Sequence, residues 1–190
     1  MKVGLLFGSF NPIHNGHIAI AECLLKLEKW DQVWLVLSPQ NPFKASSDLL
    51  DTEKRLEMIE AALESKKNIR VSKVELNMPI PSYTIDTMNV LEKQFPNYKF
   101  HIIIGSDNLH GLMKWKEIET LLSKYPFHVY SRNEDTESEK LHPNIHFHTL
   151  PLQKISSTEI RGKIKNKKSI KKWVHPAVDK LIKEHAWYKQ

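Results

Sequence analysis

Near its start the chain carries Val3–Phe7, a run without a single polar side chain. A strand of that kind has no face for water, so it must lie centrally in a sheet covered on both sides. Val33–Ser38 and Phe100–Ile104 are nearly all apolar and repeat the rhythm, each followed by turn-forming residues and then a helical periodicity. Phe127–Tyr130 and Ile145–His148 read as further strands, and helical patterns occupy about 17–29, 51–65, 83–95, 107–123 and 176–186. Asp51 with Glu53, and Ser156 with Glu159, supply helix-start signals. Strands alternating with helices form right-handed βαβ units and a parallel sheet. The expected fold is therefore a doubly wound α/β sheet, in one domain spanning 1–190. Such sheets bind ligands beyond the carboxyl ends of their strands, where the strand order reverses.

The segment after the first strand reads Gly8-Ser9-Phe10-Asn11-Pro12-Ile13-His14-Asn15-Gly16-His17. It is neither a spaced-glycine dinucleotide fingerprint nor a Walker A loop. Gly8 lets backbone amides approach a ligand, Pro12 stiffens the turn and Gly16 permits tight packing where the helix begins. His14 stands just before the helix and His17 in its first turn, where amides and the helix dipole already favour phosphate. A lone histidine there would be read as a local cap. Two of them, three residues apart, with both glycines and the proline, point to phosphate chemistry instead.

This segment resembles the Gly-x-Phe-x-Pro-x-His-x-Gly-His signature of the nucleotidyltransferase superfamily with a Rossmann-like fold, and matches every defined position. The resemblance implies nucleotidyl transfer, with Gly8, Ser9, Phe10, His14 and His17 at the ATP site and the two histidines as catalytic groups. Far down the chain, Ile155-Ser156-Ser157-Thr158-Glu159-Ile160-Arg161 places three hydroxyls at a helix start and an arginine one turn later. Alone it would be an ordinary capping box. It resembles the superfamily's Ile-Ser-Ser-Thr-x-Ile-Arg motif, which implies that Ser156, Ser157, Thr158 and Arg161 grip the ATP phosphates. Val174-His175-Pro176 through Trp187-Tyr188 is similar to the usual C-terminal helical segment, so the likeness runs end to end.

Three further segments bear on the acceptor. Pro81–Thr87 opens the third helical pattern, and its free amides with the Thr84 hydroxyl favour an anion. It resembles the Ser-Tyr-Thr-x-Asp-Thr element of nicotinate-nucleotide adenylyltransferases, which implies that Tyr83 and Thr84 meet a pyridine carboxylate. Ile104–Leu109 follows the fourth strand; Gly105 would admit a close ribose, Asp107 could accept from sugar hydroxyls and Trp115 offers a face for stacking. That run resembles the family's Gly-x-Asp-x-Leu…Trp element. Pro39–Lys44 follows the second strand, with Lys44 a candidate for the acceptor phosphate. Many relatives carry histidine where this chain has Phe43, so no role attached to that histidine carries over.

The implied reaction is transfer of AMP from ATP onto nicotinate mononucleotide, with Mg²⁺ carried by the ATP phosphates and no dedicated protein ligands. The acceptor phosphate is already anionic near neutral pH, since its second pKa is about 6. It needs alignment and relief of charge repulsion rather than a general base. Pantetheine-phosphate adenylyltransferase shares both loops, but its acceptor has neither ring nor carboxylate. A nicotinamide-preferring enzyme is closer, and a non-catalytic nucleotide sensor is the alternative from another class.

Composition excludes other classes. With 41% hydrophobic and 26% charged residues the chain is soluble and globular in pattern. No apolar run reaches transmembrane length, and the N-terminus reads as a strand rather than a signal peptide. The single Cys23 fits a reducing cytoplasm. Of the net charge of +6, six lysines between Lys163 and Lys172 supply the whole excess. That leaves no global field for nucleic acid, and the lysine run reads as a solvated face. His146 and His148 alternate by two; they read as a surface strand, and no metal ligand is assigned. A homo-oligomer is compatible with the sequence but carries no signature in it.

Overall fold

The computed structural model describes residues 1–40, 49–131, 142–150 and 155–189. Its strands are β1 (Lys2–Gly8), β2 (Gln32–Leu37), β3 (Ile69–Ser72), β4 (Lys99–Gly105), β5 (Phe127–Ser131) and β6 (Ile145–Thr149). The helices are α1 (Asn15–Leu27), α2 (Thr52–Leu63), α3 (Thr84–Gln94), α4 (Leu109–Leu112), α5 (Ile118–Lys124), α6 (Ser157–Lys165) and α7 (Pro176–Glu184). All strand pairs are parallel, in the order β3-β2-β1-β4-β5-β6. The order reverses between β1 and β4, and the crevice beyond their carboxyl ends is where such a sheet binds ligands.

The continuous apolar character of β1 follows from two-sided burial. Leu6 joins Leu35 and Ile103 in a core closed by Leu24 of α1, Ile59 of α2, Ile160 of α6 and Val178 of α7. Val3 and Leu5 face the other way, with Trp34 and Ile102 against Ile85, Met88 and Leu91 of α3. Alternate residues thus serve opposite layers, as the two-residue period of a strand requires. Among the described residues no helix is long and apolar enough to cross a membrane.

The pattern over 107–123 does not form one helix. A 3₁₀ turn at Ser106–Asn108 leads into α4, and Glu117 adopts the left-handed conformation, φ 53°, before α5 begins. Apolar spacing alone does not reveal that break. β3, unmarked by its short and partly exposed sequence, pairs with β2 on the outer side. His148 also departs from expectation: its side chain is only 9% exposed, turned in toward His128 rather than lying on a surface strand.

Candidate active site

The loop between β1 and α1 is held in place from four directions. Its Asn11 side chain Oδ1 accepts from the Leu50 amide at 3.1 Å and from the Tyr188 hydroxyl at 2.8 Å. The Asn11 carbonyl accepts from the Arg161 guanidinium at 2.9 Å, and the Pro12 carbonyl accepts from the Ser157 hydroxyl at 2.9 Å. The histidine loop and the serine–threonine helix start, 145 residues apart between Pro12 and Ser157, are therefore one surface. Ser156 caps α6: its Oγ accepts from the Glu159 amide and donates to the Glu159 carboxylate. With both serine hydroxyls committed, what α6 offers a ligand is its first-turn amides, Ser157 and Thr158 among them, which lack intrahelical acceptors. The Arg161 guanidinium also lies 3.5 Å from the Thr158 hydroxyl.

His14 is the N-cap of α1 and His17 its third residue. Their rings stack at 3.7 Å, and the His14 amide donates to His17 Nδ1 at 3.3 Å. A ring that accepts at Nδ1 carries its proton on Nε2, so neutral His17 presents a donor to whatever lies beyond. His14 is buried and His17 half-buried. Phe10 is 2% exposed, at φ 45°, with its ring edge-on to His17 at 5.0 Å. Burial of the ring holds a backbone conformation that costs about 1–3 kcal/mol. Phe10 therefore shapes the loop from inside the core.

Gly16 is required by packing. A Cβ there would sit 2.9 Å from both His14 Nδ1 and Ile155 Cγ2. Gly16→Ala is expected to push the His14 ring aside and cost about 1–3 kcal/mol as an overpacked contact. Urea denaturation together with a turnover assay checks it: stability and kcat should fall together, and a variant unchanged in both would refute this account of the packing.

On the far side of the loop, a cavity of about 400 Å³ opens between the ends of β1 and β4. Gly8, Tyr83, Thr84, Gly105, Asp107 and Trp115 all line it. These residues, drawn from separated segments, line one cavity at the reversal of strand order. Trp115 packs toward Phe127 at 6.3 Å, while Tyr83 carries the Lys116 ammonium 5.2 Å above its ring. Lys116 also pairs with Asp86 at 2.9 Å, a bond that raises its pKa. Lys44 and Phe43 lie outside the described residues.

Two charged residues escaped the sequence reading. Glu75 is 2% exposed and lines the cavity, accepting from Ser82 Oγ at 2.6 Å and Thr87 Oγ1 at 2.8 Å. It fixes the start of α3 and consumes those two hydroxyl donors, which leaves the α3 amides and Thr84 for an anion. Arg55 of α2 is fully buried and donates to the carbonyls of Ser9, Ser38, Pro39 and Leu50 and to Thr52 Oγ1, at 2.7–2.9 Å. Burial lowers its pKa, opposed by the nearby Tyr188 and Asp51. One guanidinium thus ties the loop after β1 to the loop after β2.

Residues 5–163 match the Cytidylyltransferase-like family. The chain is 42% identical over its full length to a protein of Flavobacterium psychrophilum, itself covered completely, named probable nicotinate-nucleotide adenylyltransferase. The chain belongs to the nicotinate-nucleotide adenylyltransferase family. A relative of the same name from Cytophaga hutchinsonii is 41% identical over 99% of this chain and 98% of its own length. Among solved structures, the Plasmodium falciparum nicotinic acid mononucleotide adenylyltransferase complexed with NaAD superposes with a TM-score of 0.83. It covers 98% of this chain and 97% of its own at 23% identity, a likeness of fold.

Proposed function

We infer that the protein transfers AMP from ATP onto nicotinate mononucleotide, yielding nicotinate adenine dinucleotide and pyrophosphate for NAD biosynthesis. One observation carries the reading: the His14–His17 loop and the start of α6 are fastened together beside a cavity lined by Tyr83, Thr84, Asp107 and Trp115. A phosphate site adjoins a pocket with an aromatic wall and a helix start suited to a carboxylate.

In this reading an oxygen of the acceptor phosphate attacks the α-phosphorus of ATP. The new P–O bond forms as the bond to the β-phosphate oxygen breaks, and pyrophosphate leaves. No proton must be removed from the acceptor. His17 donates through Nε2–H to a phosphate oxygen as charge builds, His14 supports it by stacking, and the α6 amides with Arg161 and Thr158 take the leaving polyphosphate. Ser156 and Ser157 act by holding α6 against the loop. Gly8, Ser9 and Phe10 set the loop's path past the nucleotide, and Gly105 lets it approach β4. Thr84 and the α3 amides receive the pyridine carboxylate, Trp115 and Tyr83 flank the ring, and Asp107 accepts from ribose hydroxyls. Lys44 is assigned to the acceptor phosphate.

MgATP is the proposed form of the nucleotide substrate. The loop offers imidazole nitrogens and amide protons, a poor set for a hard cation that prefers oxygen and keeps its water. The ion therefore travels with the phosphates. A reducing cytoplasm, where this reaction is needed, suits the free and half-buried Cys23.

The test supplies MgATP with nicotinate mononucleotide, nicotinamide mononucleotide or 4′-phosphopantetheine and follows pyrophosphate release. Release with the first at least about tenfold faster than with the others is expected, since tenfold corresponds to 1.4 kcal/mol, within the worth of one charged hydrogen bond. Equal rates with both mononucleotides would remove the role given to Thr84 and the α3 amides. Tight ATP binding without release would leave a nucleotide sensor.

A further inference from the structure

A second cluster of chemistry-bearing side chains lies at the other end of α1, about 20 Å along the helix from His14 by its 1.5 Å rise per residue. We propose that Glu28, His128 and His148 form a zinc site that ties the end of α1 to the sheet-edge strand β6. Among the described residues this is the one group of three metal-ligating side chains whose donor atoms all lie within 4.8 Å of one another.

The geometry is that of a ligand set. His128 Nδ1 and His148 Nε2 stand 2.9 Å apart, and the Glu28 carboxylate oxygens lie 4.0 Å and 3.8 Å from those two nitrogens. Ligands about 2.0–2.1 Å from a tetrahedral zinc are separated by about 3.3 Å, so three donor atoms that all lie within 4.8 Å of one another reach a common ion by small side-chain shifts. In the metal-free form one proton bridges His128 Nδ1 and His148 Nε2, and the carboxylate is beyond hydrogen-bond distance of either. A cation that displaces this proton engages both ring lone pairs and the carboxylate at once.

The surroundings suit a metal as well. His128 is 3% exposed and its ring stacks on those of His146 and His148, with centroids 5.1 Å away in each case. If His128 binds through Nδ1, its Nε2–H points at His101 Nδ1, 3.1 Å away, the second hydrogen bond that usually fixes a metal-bound imidazole. Trp30 seals the cluster from below, edge-on to His128 at 4.8 Å and tilted over His101 at 5.1 Å. It can do so because Gly4 has no Cβ to collide with its ring. Glu28 is also the C-cap of α1, where the helix dipole favours positive charge. Two imidazoles and one carboxylate match zinc better than Mg²⁺ or Ca²⁺, and the fourth position falls to water.

The test uses the full, tag-free chain, stripped by chelator, then dialysed against zinc chloride and analysed for bound metal. One equivalent per chain is expected, with Co²⁺ giving the strong visible absorption of a tetrahedral site. His148→Gln and Glu28→Gln should each lower zinc affinity by about 10–100-fold while circular dichroism and adenylyl transfer stay unchanged. Zinc should also raise the thermal midpoint of the wild type but not of His148→Gln. The proposal is overturned if no zinc is retained, if His148→Gln retains it equally, or if its loss follows His17→Ala instead.

Discussion

Replacing His17 by alanine is expected to lower kcat by about 10²–10³-fold while changing the dissociation constant of MgATP by much less, as for loss of one preorganised donor to developing charge. The expectation rests on the tautomer. The His14 amide occupies His17 Nδ1, so the ring can offer only Nε2–H outward, and a donor there gains strength as negative charge moves onto the phosphate oxygens. Ground-state binding is shared with the amides of α6 and with Arg161, so it should survive. His17→Gln, whose side-chain amide can donate, should recover part of the rate. Pre-steady-state turnover with separately measured ATP binding distinguishes the cases. A kcat unchanged in His17→Ala would end the assignment, and a loss confined to ATP affinity would make His17 a ground-state ligand only. His14→Ala is expected to behave differently: its ring is 2% exposed and stacked, so stability should fall along with rate.

The contrast between these two histidines shows what a sequence can carry. Both stand in a contiguous segment between an apolar strand and a helix, and their relation follows from local geometry: N-cap and third residue of one helix turn. The same holds for Ser156, whose bond to Glu159 is a capping box visible in the string of residues. Contacts made by chain topology are another matter. Ser157 and Pro12 meet only because the sheet order brings the start of α6 against the β1 loop. His128 and His148 are neighbours because β5 and β6 pair with His128 opposite His146 and Tyr130 opposite His148, a register no spacing rule supplies. Glu75 and Arg55 are harder still. Each is a charged residue in a stretch with other charges, and nothing local distinguishes it from a solvated face. The helix over 107–123 failed for the reverse reason, since its apolar spacing was sound but Glu117 turned left-handed.

Arg55→Met is the second large effect expected, a loss of about 3–5 kcal/mol of stability, the usual cost of breaking a buried charged network from one side. Methionine nearly fills the volume, so the effect isolates the hydrogen bonds rather than a cavity. Removing the guanidinium strands four carbonyls, of Ser9, Ser38, Pro39 and Leu50, together with the Thr52 hydroxyl. Each buried acceptor left without a partner costs about 1–3 kcal/mol, partly relieved where water can enter. Arg55→Lys should fall between, because an ammonium cannot span partners on three segments with a planar fork. Urea denaturation reads the change as a lower midpoint at constant slope. A second readout separates fastening from mere folding. Both loops that flank the cavity hang on this one side chain, so in Arg55→Lys, still folded, KM for the acceptor should rise more than kcat falls. A variant as stable as the wild type would mean that the loops after β1 and β2 hold their positions without Arg55. A destabilised variant with unaltered KM would confine Arg55 to the fold and remove it from the site.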